Sequence, residues 1–185
     1  MIKTKKELKE WLTVEEKIYN PGIKKMIPIL FDEFQILWLI VKRLRKAEYY
    51  SNKNHKSLFA IIARFNLKRI QNRYGVHLPL NVFGKGLSIA HLGPIVINQD
   101  TKIGDNCRIH VGVNIGANGG GSPVIGDDVY IGPGAKIFGE ITIADGIKIG
   151  ANAVVNKSCN HQNAILVGVP AHEVIGNAIK GDTNG

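Results

Sequence analysis

The sequence predicts a mainly β protein: a parallel β-helix of hexapeptide repeats with an α-helical domain in front of it. Three observations carry this expectation. Aliphatic or aromatic residues return at six-residue spacing between Phe83 and Val155. Nineteen of the 21 glycines lie after residue 75, where a solenoid needs tight corners. The formal charge of +9 lies wholly before that point, since residues 1–75 hold 17 Lys and Arg against 7 Asp and Glu, and the remainder holds 7 against 8. The expected units are a helical domain over 1–75, a β-helix over 76–175 and a C-terminal tail over 176–185.

The helical part comes first. Thr4 is placed to cap a segment running to about Ile18, with Leu8, Trp11 and Leu12 on one face. Asn20-Pro21-Gly22 breaks it. A second segment runs from about Phe31 to Tyr50, dense in apolar residues and ending in Lys42-Arg43-Leu44-Arg45-Lys46; Ser51-Asn52-Lys53-Asn54 is the expected break. A third, His55 to Tyr74, sets Leu58, Ile61, Ile62, Phe65 and Ile70 on one side and Lys56, Arg64, Lys68, Arg69 and Arg73 over much of the rest. Such basic helices suit a solvated cap, a higher assembly or a peripheral contact with an anionic membrane. No nucleic-acid reader motif accompanies the charge, so no nucleic-acid partner is expected.

The second part counts in sixes. Ile125, Ile131, Ile137, Ile143, Ile149 and Val155 are consecutive hits, as are Ile97, Ile103, Ile109 and Ile115. Phe83, Ile89 and Ile95 keep the period two residues out of phase. Two places before the aliphatic residue stand Thr101, Cys107, Val113, Val129, Ala135 and Ala153, small or β-branched. Neither a helix nor a flat strand has this period; three six-residue sides closing one coil do. Stacked coils then bury an aliphatic column that no single coil can bury alone.

Two irregularities mark the functional face. One is the phase slip around His91. The other is the ten-residue step from Ile115 to Ile125, which holds Ala117-Asn118-Gly119-Gly120-Gly121-Ser122. An insertion in a solenoid emerges as a loop, often on the binding face. The loop lacks the Gly-Lys-Ser/Thr ending of a phosphate-cradling P-loop.

Composition and termini exclude other classes. Apolar residues at 44% and charged residues at 21% describe a globular chain. Two cysteines, Cys107 and Cys159, make neither a disulfide framework nor a multi-cysteine zinc module. The start, MIKTKKELKE, has no apolar signal core, and the run Ile36 to Val41 is too short to span a bilayer, so a cytoplasmic location is expected. Zinc catalysis on His ligands is not expected either: His91 and His110 are nineteen residues apart, with no His-x4-His pair.

Four stretches carry a resemblance: Gly84-Lys85-Gly86-Leu87-Ser88-Ile89-Ala90-His91, Ile125 through Gly139, Ile149 through Val155, and Val167-Gly168-Val169-Pro170-Ala171. On them the chain resembles the left-handed β-helix acyltransferases, and within these the serine acetyltransferases and their relatives in surface-polysaccharide gene clusters. The resemblance implies a homotrimer with sites between neighbours, which suits a prism whose faces meet head-to-tail and close. It implies acetyl-CoA as co-substrate, no metal, and His91 as general base. An imidazole can take the proton of an attacking hydroxyl near neutral pH, typically for ~10²–10⁴-fold. By the same matching, the acetyl-CoA arm runs past Gly116 and Ala117, then Pro133 and Ala151, with Lys136, Lys148 or Lys157 near its phosphates and Ala171 in the Gly-Val-Pro-Ala stretch. Candidate acceptor contacts are His110, which follows an inward isoleucine and is expected on an outer face near a neighbour's His91, and Asn118 in the loop.

The chain departs from the serine acetyltransferase pattern where serine is gripped. Ala90 stands where an Asp precedes the histidine, Gly121-Ser122-Pro123 where an Arg-His pair follows the loop, and Val76 where a further Asp lies upstream. The expected acceptor is therefore a sugar hydroxyl of a surface polysaccharide or its precursor, with L-serine as the alternative and a non-catalytic scaffold as a second one.

Overall fold

The computed structural model describes residues 1–19 and 32–174. The expected breaker at Asn20-Pro21-Gly22 and the tail over 176–185 lie outside the described residues.

Helix α1 (Lys5–Tyr19) starts as expected at Thr4. The Glu7 amide donates to Thr4 Oγ1 at 3.1 Å and the Thr4 amide donates to Glu7 Oε2 at 2.8 Å, a reciprocal cap. Helix α2 (Glu33–Asn54) begins at the N-cap Asp32, whose Oδ1 accepts from the Phe34 amide. It runs through Ser51-Asn52-Lys53-Asn54 instead of breaking there. The Asn52 side-chain amide explains this: it donates to Ile2 O at 2.8 Å and to Asn81 Oδ1 at 2.9 Å, so this residue type serves tertiary contacts from within the last turns. The break falls at His55–Ser57, and Ser57 caps α3 (Leu58–Tyr74), which ends on Gly75 at φ +69°.

From there the chain coils. Fourteen short strands follow: β1 (Val76–His77), β2 (Ser88–Ile89), β3 (Ile95–Ile97), β4 (Lys102–Ile103), β5 (Arg108–Ile109), β6 (Asn114–Gly116), β7 (Val124–Ile125), β8 (Tyr130–Ile131), β9 (Lys136–Phe138), β10 (Thr142–Ile143), β11 (Lys148–Ile149), β12 (Val154–Val155), β13 (Ile165–Val167) and β14 (His172–Val174). They form three walls: β1-β3-β6-β9-β12, β4-β7-β10, and β2-β5-β8-β11-β13-β14. Every pairing is parallel except β13 with β14, which closes the last wall. The result is a β-solenoid of about five turns behind a helical region.

Register explains the irregularities. In regular coils Ile131 pairs with Ile149 and Ile137 with Val155, eighteen residues on, which is three hexads. Across the glycine-rich loop Ile109 pairs with Ile131 and Ile115 with Ile137, four residues more. Across His91, Ile89 pairs with Ile109, two residues more. Both Ile95 and Ile97 still point inward from β3, so the surplus pair falls in the corner Ala90–Pro94. All thirteen residues of the hexad register are buried.

The helices sit on the first coil through a buried polar cluster. Arg45, with no exposed surface, donates to Glu15, to Glu48 and to the carbonyls of Phe83 and Gly84. Glu15 and Glu48 accept in turn from the Leu87 and Asn81 amides. Tyr19 Oη accepts from the Ile89 amide at 2.7 Å and donates to Leu87 O, covering the free edge of β2. One cationic residue of the basic half is therefore an internal fastener. α3 packs on the core through Leu67 and Ile70, and of the side read from its sequence only Ile70 is buried.

Candidate active site

The corner that follows β2 and its equivalents one coil up carry the site. Counting on from the paired isoleucines 109, 131 and 149, the positions of Val111, Pro133 and Ala151 stack in one column; in the first coil Pro94 O takes the equivalent bond, from the Gly112 amide, and His91 lies in the surplus of that corner. The two extra residues of the first coil bulge this corner outward. A glycine permits it: Gly93 sits at φ +138°, and a Cβ there would lie 2.4 Å from Val111 Cγ2.

His91 stands on that bulge with 58% of its side chain exposed. Its Nδ1 faces Glu33 Oε2 at 3.4 Å, and the other oxygen of Glu33 accepts from the Leu92 amide at 2.7 Å. Glu33, in the first turn of α2, is 58 residues away in sequence; no periodic or motif signal links the two, and the sequence reading missed it.

His110, just past β5, lies beside His91 of its own chain, with ring centroids 6.2 Å apart, and its ring meets Tyr130 edge-on at 5.0 Å. Burial, then the Arg108 and His91 charges, hold its pKa below the usual histidine value. Its Nε2 is buried and has no hydrogen-bond partner among the described residues. Arg108, one residue before Ile109, projects outward and donates to Ser88 Oγ at 3.1 Å. The same face thus offers a histidine with a carboxylate on one ring nitrogen, a second histidine and a guanidinium.

The other candidates are spread over the solenoid. Pro133 and Ala151 are exposed and lie on the same corner edge of the solenoid, in the coils beyond His91. Gly116, Ala117 and Asn118 lie at the far end of the adjoining wall, where β6 runs into the exposed loop, closed by the Asn118 amide donating to Gly121 O. Lys136 opens β9, and its Nζ donates to Gly112 O at 2.6 Å across one coil, which engages the ammonium expected near a phosphate. Ala171, between β13 and β14, donates its amide to Val154 O. His77 is an exposed residue of β1, His161 pairs with Glu173, and His172 opens β14; none of the three approaches His91 in a described contact.

Fold and face together define a hexapeptide-repeat β-solenoid with a histidine-bearing corner. The bacterial transferase hexapeptide family (six repeats) matches residues 122–157. The serine acetyltransferase of Mycobacterium tuberculosis is 38% identical over 136 residues, covering 71% of this chain and 57% of that protein. Soybean serine acetyltransferase complexed with serine superposes with a TM-score of 0.71 at 27% identity, over 90% of this chain and 69% of that one. A serine acetyltransferase in complex with CoA shares the fold, with a TM-score of 0.73 at 24% identity over 92% and 71% of the two chains. The chain carries the bacterial-transferase hexapeptide repeat and has serine acetyltransferases as sequence relatives and structural neighbours. It spans about three fifths of the length of the curated relatives it matches.

Proposed function

We propose that this chain is an acetyl-CoA-dependent O-acetyltransferase acting on L-serine as a homotrimer, with His91 as general base. The carrying observation is the outward His91–His110 pair beside Arg108 on the lengthened corner. The relatives' names support L-serine over the sugar hydroxyl expected from the sequence. Arg108 answers part of the objection raised by the missing Arg-His pair, because a guanidinium suits a carboxylate in a bidentate geometry.

The chemistry runs as follows. His91 takes the serine hydroxyl proton as the oxygen attacks the thioester carbonyl. The tetrahedral intermediate collapses with loss of CoA thiolate, which recovers the proton from the imidazolium, leaving O-acetylserine and CoA. His110, whose ring stands 6.2 Å from that of His91, forms one side of the acceptor's place. Pro133 and Ala151, exposed on the same corner edge, allow the acetyl-CoA arm close backbone approach. A neighbouring protomer supplies the second wall that the exposed His91 lacks on one chain.

The α3 face carries a finer partner reading. Leu58, Ile61, Ile62 and Phe65, spaced along one stripe, are 47–67% exposed beside Lys56, Arg64, Lys68 and Arg69, and α3 has no acidic residue. Two copies meeting through this face would oppose like charges, so its occupant is an anionic phospholipid surface.

Release of CoA thiol is to be measured with acetyl-CoA and L-serine, free sugars and nucleotide sugars in turn. L-serine should be the preferred acceptor, and His91→Ala should lower its turnover by ~10²–10⁴-fold with folding intact. A preferred sugar would overturn the acceptor, undiminished turnover in His91→Ala would overturn the base, and a chain sedimenting as a monomer would overturn the shared site.

A further inference from the structure

We infer that Glu33, carried by the N-terminal helices, is the positioning residue that sets the tautomer of His91. This rests on the reading of His91 as general base.

The argument begins with valence. A neutral imidazole carries one proton, and the nitrogen without it is the only one able to accept. A base that accepts a hydroxyl proton at Nε2 must hold its own proton on Nδ1, and a carboxylate facing Nδ1 selects that form. The residue next to His91 cannot do this, since it is Ala90, and position 76 holds Val76. Glu33 Oε2 instead faces Nδ1 at 3.4 Å, long for a hydrogen bond but a distance that catalytic pairs shorten when substrate closes the site. Among the described residues, Glu33 on α2 faces the ring, His110 just past β5 stands beside it, and Arg108 acts on His110 through its charge.

The second oxygen makes the arrangement directional. Glu33 Oε1 accepts from the Leu92 amide at 2.7 Å, in the same bulged corner. That contact fixes the carboxylate plane relative to His91 and ties the helix to the corner. Both partners are substantially exposed, at 58% and 40%, so the pair adds little to stability. Its use lies in orientation.

An unusual ordering of variants follows. In Glu33→Gln the Leu92 amide still demands an acceptor, so the carboxamide oxygen stays there and the NH₂ group turns to His91 Nδ1. That group donates, Nδ1 must accept, and the proton moves to Nε2, where it blocks base action. Glu33→Ala leaves both tautomers open. Glutamine, the closer mimic in shape, is therefore the more damaging replacement.

Two measurements on the full-length protein test this. ¹⁵N chemical shifts of the His91 ring at a pH where it is neutral should report the Nδ1–H form in the parent, the Nε2–H form in Glu33→Gln and a mixture in Glu33→Ala. Turnover should fall by about 10²-fold or more in Glu33→Gln. The loss should be smaller in Glu33→Ala, with Glu33→Asp recovering part of it and KM for acetyl-CoA held within about two-fold. An unchanged ¹⁵N pattern in folded Glu33→Gln overturns the inference even if the parent is active. A parent inactive on every acceptor, with the tautomer shift intact, overturns the proposed function and leaves the positioning role standing.

Discussion

Arg45→Met is the most informative single change for how the two parts are joined. Arg45 is fully buried and its guanidinium serves two carboxylates and two carbonyls: Glu15 at 2.7 Å, Glu48 at 2.9 Å, Phe83 O at 3.1 Å and Gly84 O at 2.5 Å. Methionine fills a similar volume but donates nothing. Glu15 and Glu48 then remain in a dry site with single amide partners, Leu87 and Asn81. Removing one partner of a buried ion pair costs about 3–5 kcal/mol, and the triple variant Arg45→Met/Glu15→Gln/Glu48→Gln should recover much of it. The pH dependence has a definite sign. Burial, opposed mainly by Arg45, raises the Glu15 carboxyl above its ordinary value of 4.5. The folded state therefore holds that proton more tightly than the unfolded chain, and the Glu15 contribution to stability is lost as pH rises past that range. Without Arg45 the rise is larger, so the penalty of Arg45→Met should grow from pH 5 to pH 7.5. Urea unfolding followed by fluorescence reads this out at fixed chain concentration. Trp11 lies 4.7 Å from the Arg45 guanidinium and Trp38 stacks on Tyr19. A penalty under about 1 kcal/mol, or one equal at both pH values, would refute the claim that this cluster fastens the helices to the solenoid.

Three further outcomes are expected. His110 is held neutral in the fold, so stability should fall as pH drops below 6.5, where the unfolded chain takes up the proton; His110→Gln should flatten that slope in urea midpoints between pH 6.5 and 5. Thr4→Ala removes the acceptor for the Glu7 amide and should cost about 1 kcal/mol in the same assay, with the loss confined to amide exchange protection in α1 if the cap is local. The chain should co-sediment with vesicles containing anionic phospholipid and not with neutral ones, and Ile62→Ser/Phe65→Ser should abolish this; absence of binding, or a parent assembly larger than a trimer that these substitutions dissociate, would assign the α3 face to something other than lipid.

The solenoid was legible because its physics is local and repetitive. Each coil must place an aliphatic residue inward at the same phase, so the register from Phe83 to Val155 could be read by counting, and every one of those residues is buried. The two irregularities were legible for the same reason: a coil with surplus residues shows up as a broken count. One of them marks the corner that holds His91, whose role as base is what the resemblance implies. The helices were less legible. The α2 terminus was misplaced because Asn52 looks like a breaker until its partners Ile2 and Asn81 are known. The apolar side of α3 is legible from spacing, and only packing shows that Leu58, Ile61, Ile62 and Phe65 stay exposed while Leu67 and Ile70 join the core.

Counting in sixes along the chain thus determined the β-helix, the inward column and the corner that carries His91, since spacing alone settles which side chains can face a shared axis. Tertiary structure decided what stands beside that histidine. Glu33 reaches it from 58 positions away, Tyr19 closes β2 from nearly 70, and Arg45 meets Glu15 across 30. Pairings of that kind depend on where separate elements come to rest against one another, and a charge or hydroxyl that forms one has the same letter in the sequence as a charge or hydroxyl that faces water.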